Sequence, residues 1–278
     1  MFPKLLELGP LTLHSYGLFL ALGFIAAIYT ASWLRVREGQ SDQDVSNAAL
    51  WMVAAGIFGG RLAYVIEHWR VEFAHAPFME VLRVDRGGLM FYGGFLGSVL
   101  AMGLYARFRR EPFTAYSDLF ATVLPLGHAL GRAGCFLSGC CHGKTTASWM
   151  GVSFPNGSPA WKEFPACVGH DAARCATHGS LPVIPTQLVE AAANLIIFVL
   201  LFFLYRRPDR ANGLTTGAYL MLYGVLRFGV ELLRGDDRVT TFLALSIGQT
   251  ISLGVFTAGA IFLARALCCG KRNTDATD

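Results

Sequence analysis

The sequence predicts an all-α integral membrane protein of seven transmembrane helices, with the N-terminus extracytoplasmic and the C-terminus cytoplasmic. Of 278 residues, 54% are hydrophobic and only 15% charged, too few charges to clothe one soluble domain of this length. The mean hydropathy is +0.46, and the apolar residues recur in runs of about 20, the length a helix needs to cross a bilayer core. Arginines gather in alternate connectors, which sets an orientation. The net charge of +4 is mild, and its basic residues sit in short loops instead of a continuous stripe. No nucleic acid is expected as a partner.

The spans are expected at 15–34, 47–66, 88–106, 118–136, 185–205, 213–233 and 243–267. Ahead of the first there is no basic start, short apolar stretch and small-residue cleavage site, so this span is expected to stay in the protein. In the second and third, Gly56 and Gly60, then Gly93 and Gly97, stand four residues apart. Small residues at that spacing let helix backbones approach closely in lipid. Gly127 and Gly131 repeat the spacing in the fourth span, which Pro125, His128 and Arg132 interrupt. The fifth opens on PTQLVE, the sixth carries Arg227 and Glu231, and the seventh carries Gln249 and reaches Arg265 near its end.

Four basic clusters follow spans one, three, five and seven: Arg35 and Arg37; Arg107, Arg109 and Arg110; Arg206, Arg207 and Arg210; and Arg265, Lys271 and Arg272. All fall in the cytoplasm only with the N-terminus outside, and seven is the odd number of spans this requires. Two longer stretches then face outward, 67–87 with mixed charge and 137–184 rich in Gly, Pro and Ser. Residues 1–278 are read as a single polytopic domain with 137–184 as its extracytoplasmic loop region. Seven cysteines leave at least one thiol without an intrachain partner. Cys167 and Cys175 lie in the outer loop, as a disulfide or as two free thiols.

A charge at mid-membrane is costly, so such residues usually face a cavity and mark function. In YGVLRFGVELLR, Tyr223, Arg227, Glu231 and Arg234 recur at steps of four, four and three. Those steps place all four on one helix face. His128 and Arg132 are one turn apart in span four. The bland alternative is a buried Arg227–Glu231 ion pair, a poor source of stability by itself. Two arginine faces converging in lipid suit an anion, above all a lipid phosphate, which arginine grips bidentately.

Span four runs into GRAGCFLSGCCHG at 131–143. Cys135, Cys140, Cys141 and His142 have the donor types of a zinc site, but their spacings lack the usual paired x-x loops, so no metal is expected. A disulfide between two of these cysteines, or with the 167/175 loop, is the favoured reading, and a thiol relay is the alternative. Cys268 and Cys269 are read as packing at the end of span seven.

Several stretches together resemble the bacterial prolipoprotein diacylglyceryl transferase family. They are HSYGLFLALGF at 14–24, GGRLAYV at 59–65, GGLMFYGG at 87–94 and SDLFATVLPLGHALGR at 117–132. GRAGCFLSGCCHG, PTQLVE at 185–190, YGVLRFGVELLR at 223–234 and LSIGQTIS at 245–252 complete the series. The resemblance implies a seven-span inner-membrane enzyme that moves diacylglyceryl from phosphatidylglycerol to the lipobox cysteine thiol of prolipoproteins. Glycerol phosphate is released in this first step of lipoprotein maturation. Its partners would be phosphatidylglycerol, prolipoprotein signal peptides and membrane lipid, and no cofactor is implied.

By motif, the family's two essential arginines fall on Arg132 and Arg227, its tyrosines on Tyr16 and Tyr223, and its carboxylate and further arginine on Glu231 and Arg234. Arg61, Gln187 and Gln249 join Tyr16, Tyr223 and Arg234 as substrate-binding candidates. Three positions depart from the pattern. Tyr92 stands for the family's histidine, Cys135 for an asparagine and Cys140 for a glutamate. The thiol attacks better as thiolate, and Arg132 and Arg227 would stabilise the charge on the departing phosphate. Tyr92 is first candidate for the proton acceptor by position. A neutral phenol is a poor base unless adjacent arginines depress its pKa, whereas His128 and His142 match neutral pH better. The catalytic candidates are thus Tyr92, His128, Arg132, Arg227 and Glu231. A related transferase with another acceptor or phospholipid remains an alternative. So does a lipid-binding or transport protein, although no inverted repeat is seen.

Overall fold

The computed structural model describes residues 4–8, 11–74, 77–84, 87–166, 179–234 and 245–269. A two-stranded antiparallel hairpin, β1 (Lys4–Leu8) and β2 (Leu11–His14), precedes a helical chain. The helices among the described residues are α1 (Ser15–Arg37), α2 (Asp42–His68), α3 (Phe78–Leu82), α4 (Phe91–Arg109) and α5 (Phe113–Ser138). They continue with α6 (Pro159–Glu163), α7 (Thr186–Tyr205), α8 (Leu214–Leu233) and α9 (Ile247–Cys269). Local chemistry sets several boundaries. Ser41 caps α2 by accepting the Gln43 N–H at 3.2 Å, with Asp42 and Asp44 in the first turn, where the helix dipole favours them. The left-handed Arg110 closes α4.

Five helices, α1, α2 with its π-helical extension to Phe73, α5, α7 and α9, are long and apolar enough to cross a membrane. The two other expected spans are helical as well. α4 has 19 residues and α8 has 20, but arginines, glutamate and glycines dilute their apolar character. The protein is therefore a multi-pass membrane protein by its helices. Large apolar side chains point outward along them, including Ile25, Leu50, Phe58, Leu100 and Phe203, as lipid contact requires. Pro125 lies within α5, which runs unbroken through it. Neighbouring helices in membranes accommodate the backbone groups a proline frees.

The chain divides into two compact units, residues 30–119 and residues 1–29 with 120–278. In the first, α2 and α4 meet through the expected glycines. A Cβ on Gly93 would lie 2.4 Å from the Gly59 carbonyl, and one on Gly97 2.4 Å from that of Ala55. The connector arginines of this unit are also structural. Arg35 bonds Glu111 at 2.7 Å, and Arg109 pairs with Asp44. In the second unit α8 packs on α7 and α9. Gly217 and Gly259 allow the α8–α9 approach, since a Cβ on either would meet backbone at 2.7 Å. Gly127 packs against Gly23, whereas Gly131 faces open space. Phe154, Ala160 and Val183 form a small separate core for the 139–184 loop region.

Candidate active site

The site assembles in the unit that contains α5, α7, α8 and α9. His128 and Arg132 stand one turn apart on α5, and Arg132 Nε donates to His128 Nε2 at 3.3 Å. The sequence reading missed their partner, Glu190 on α7. Its carboxylate is buried, with Oε1 3.1 Å from Arg132 Nη2 and 3.5 Å from His128 Nε2. The signal was present, because Glu190 is the only charged residue in the whole of α7. An acid so placed needs a cationic or hydrogen-bonding partner.

On α8, Arg227 Nη2 lies 3.1 Å from Glu231 Oε2, so the ion pair exists. It does not saturate the guanidinium. Arg227 Nη1 is buried and has no hydrogen-bond partner among the described residues. Such an N–H calls for a water or a ligand oxygen. Tyr223, one turn earlier, brings its ring 5.7 Å from that of His128, so the two predicted faces do meet. Glu231 is held from the residue that leads into α9, since Ser246 Oγ donates to its Oε1 at 2.9 Å. A Cβ on Gly248 would sit 2.5 Å from the same oxygen, so glycine there gives the carboxylate its room.

The glutamines act on backbone. Gln249 Oε1 accepts the Ser246 N–H at 2.9 Å while Ser246 Oγ accepts the Gln249 N–H at 3.1 Å. This reciprocal cap starts α9. Gln187 is fully buried, and its Nε2 donates to the Cys140 carbonyl at 2.7 Å. Beside it, Thr186 Oγ1 donates to the Cys141 carbonyl at 2.8 Å. Further along, Gly143 N donates to Ile184 O at 2.9 Å and Lys144 N to Leu233 O at 3.1 Å. Residues 140–144 are thus pinned between the start of α7 and the end of α8.

This pinned turn gathers the cysteines. The Sγ atoms of Cys135, Cys140 and Cys141 all lie within 4.8 Å of one another. All three are free thiols, in place of the expected disulfide. Cys141 takes a left-handed backbone, φ 61°, which a residue other than glycine adopts only when its surroundings hold it there. Hydrogen bonds from Cys135 and Cys140 hold its thiol below the ordinary range, and Arg132 and Arg234 act in the same direction. Tyr16 lies within electrostatic reach of all three sulfurs and of Arg132. His142 is turned elsewhere. It is buried against Phe154 and Phe164, with Nε2 3.4 Å from Glu163. Cys268 is exposed where packing was expected, and Cys167, Cys175 and the Cys269 side chain lie outside the described residues.

Two candidates belong to the other compact unit. Tyr92 is in the first turn of α4, half-exposed, with its ring 5.7 Å from that of Phe91. The approach to it depends on Gly87 and Gly88, at φ 86° and 76°. Arg61 donates to the carbonyls of Glu80, Val81, Gly87 and Gly88 at 2.6–3.2 Å, which fixes the segment leading to α4. The structure therefore brings together Tyr16, His128, Arg132, Tyr223, Arg227, Glu231 and Arg234, and adds Glu190.

Comparison with known proteins shows the family. The family described as prolipoprotein diacylglyceryl transferase matches residues 3–265. A phosphatidylglycerol–prolipoprotein diacylglyceryl transferase of Ralstonia pickettii (strain 12J) is 34% identical, covering 94% of this chain and 92% of its own. The protein of the same name in Burkholderia ambifaria (strain MC40-6) is 36% identical, over 94% and 93% of the two chains. That of Cupriavidus necator is 32% identical, over 92% and 89%.

Proposed function

Because the chain belongs to the prolipoprotein diacylglyceryl transferase family, we propose that it transfers the diacylglyceryl group of phosphatidylglycerol to the lipobox cysteine thiol of prolipoproteins. It is an enzyme of lipoprotein biosynthesis. The supporting observation is the pair of guanidiniums set in apolar helices, with a buried N–H of Arg227 left for a ligand. An anionic phosphodiester fits that arrangement. The acceptor sulfur attacks the glycerol carbon that bears the phosphate ester, and the C–O bond breaks with its electron pair passing to the departing glycerol phosphate. Arg132 and Arg227 stabilise the charge that grows on the phosphate, while Glu190 and Glu231 hold the two forks in place. His128 Nε2 faces Arg132 Nε and Glu190 Oε1 together. Its lone pair is already engaged by the Arg132 N–H, so it serves as an acceptor that orients the guanidinium.

The seven helices would cross a bacterial inner membrane with the N-terminus outside and the C-terminus in the cytoplasm. Residues 137–184 would then lie in the extracytoplasmic part of a single polytopic domain. Purified protein in phosphatidylglycerol liposomes should add diacylglyceryl to a peptide carrying a lipobox cysteine, and not to its serine analogue. It should also restore growth to cells depleted of the transferase. Failure of transfer with phosphatidylglycerol, alongside transfer from another phospholipid or to another acceptor, would refute the substrate assignment.

A further inference from the structure

The three cysteines of the pinned turn are not needed by the chemistry above, yet the fold brings them together. Their spacing in sequence lacks the paired loops of common zinc sites, so convergence was not expected. Zinc–sulfur bonds of about 2.3 Å in tetrahedral geometry place ligand sulfurs roughly 3.8 Å apart. Sulfurs within 4.8 Å of one another reach that spacing by small side-chain rotations. Among the described residues the group contains these three donors and no fourth. His142, the nearest alternative in sequence, faces Glu163. Three protein ligands with one open position is the pattern of a catalytic zinc site, where a closed set of four marks a structural one.

The surroundings fit such an ion. Gln187 and Thr186 hold the carbonyls of Cys140 and Cys141 from buried positions on α7. Outer contacts of this kind fix the ligands before the metal arrives. Three thiolates on a divalent ion leave one negative charge, and Arg132 and Arg234 both act electrostatically on the Cys141 sulfur. The cluster is also continuous with the site, through Arg132 and Tyr16.

We infer that Cys135, Cys140 and Cys141 form a three-thiolate zinc site whose open position receives the sulfur of the acceptor cysteine. The inference rests on the transferase reading and supplies what that reading lacks. A thiol of pKa about 8.5 is only about 3% thiolate at pH 7, and this chain has Tyr92 where its family resemblance calls for histidine. A thiol that coordinates zinc is deprotonated outright. The acceptor sulfur binds zinc as its proton passes to water. The bound thiolate then forms the C–S bond while the glycerol C–O bond breaks, and the electron pair leaves with glycerol phosphate. Zinc changes neither charge nor oxidation state.

The test uses the purified full-length protein in detergent under reducing conditions, with Cd²⁺ as the probe. Cadmium should bind at about one ion per chain and produce a thiolate charge-transfer band. A lipobox peptide should raise that band by about one third, from three sulfurs to four, and its serine analogue should not. Cys135→Ser, Cys140→Ser and Cys141→Ser should each weaken the band, and Cys268→Ser should leave it unchanged. Removing zinc should lower transfer about 10- to 30-fold at pH 7, with the loss shrinking as pH rises toward the thiol's own pKa. The wild-type titration stands even if a serine variant fails to fold. Absence of the band, a band indifferent to the cysteine peptide, or transfer unaffected by zinc removal would each overturn the inference and leave the transferase reading intact. Two thiols that appear only after reduction would mean a disulfide and overturn it as well. A protein that draws the peptide sulfur onto cadmium yet transfers nothing would keep the site and remove the transferase reading.

Discussion

Glu190 offers the sharpest test of the site, because its role comes from geometry and not from motif. Its side chain is 2% exposed and that of Arg132 is 16% exposed, with 3.1 Å between Oε1 and Nη2. Glu190→Ala would leave the part-buried Arg132 without its carboxylate, at a cost of up to about 3–5 kcal/mol, the range for breaking a fully buried pair. Glu190→Gln keeps the volume and one acceptor but loses the charge, so its cost should be nearer 1.5–3 kcal/mol, the worth of a hydrogen bond to a charged group. If Glu190 aims the Arg132 fork at the phosphate, transfer should also fall about 10²–10³-fold, the usual loss when one stabilising donor is misplaced. Initial rates of peptide lipidation in phosphatidylglycerol liposomes, measured with thermal unfolding of the same preparations, separate the two effects. Glu190→Gln with a normal rate would show that Arg132 needs no carboxylate to hold it, and the reasoning would fail.

The other expectations follow the same logic. Arg132→Ala and Arg227→Ala should each abolish transfer while the protein still inserts, and lysine replacements should rescue poorly because the bidentate fork is lost; full activity in either alanine variant removes that arginine from the mechanism. Tyr92→Phe should be near-normal if the proton leaves through zinc or His128, and should fall roughly 100-fold if the phenol is the base, with His128→Gln assayed beside it. Reporter fusions after residues 38, 110 and 208 should all report cytoplasm, and an outside signal at any of them overturns the orientation. Gly97→Val should prevent stable insertion or lower the unfolding temperature, since its Cβ would lie 2.4 Å from the Ala55 carbonyl; wild-type stability would mean that α2 and α4 part without cost.

Much of this was legible in the sequence because the membrane imposes strong periodicities. Runs of apolar residues predicted helices within a few residues of those found, and the glycine pairs of α2 and α4 predicted a close approach that the backbone bears out. The face of Tyr223, Arg227 and Glu231 was readable for the same reason, since one helix fixes the relative directions of its own side chains, whereas Arg234 falls just past the end of α8 in extended backbone. What lay on different helices was not readable. The partner of Arg132 sits 58 positions along the chain on α7, and Gln187 and Gln249 turned out to bind backbone. The cysteine cluster shows the same limit at short range. Spacings of five and one look unpromising, and only the left-handed turn at Gly139 and Cys141, held by Thr186 and Gln187, folds the three sulfurs onto one point.

The two buried ion pairs also explain how arginines can sit in these helices and still serve a ligand. An unpaired guanidinium in an apolar helix is expensive to insert, but one whose donors were all satisfied internally would have nothing to offer a phosphate. Arg227 resolves this by giving one edge to Glu231, one turn away on its own helix, while its Nη1 has no hydrogen-bond partner among the described residues. Arg132 divides itself similarly between His128 and Glu190. Arginine alone has enough donors in a rigid plane to meet an internal carboxylate and an external oxygen together. Lysine carries the same charge as a single point, so a contact with the glutamate competes with one to the lipid. On the proposed reading the glutamates therefore belong to the anion site as much as the arginines do. They neutralise the guanidiniums enough for the apolar interior and fix which edge remains turned toward the substrate.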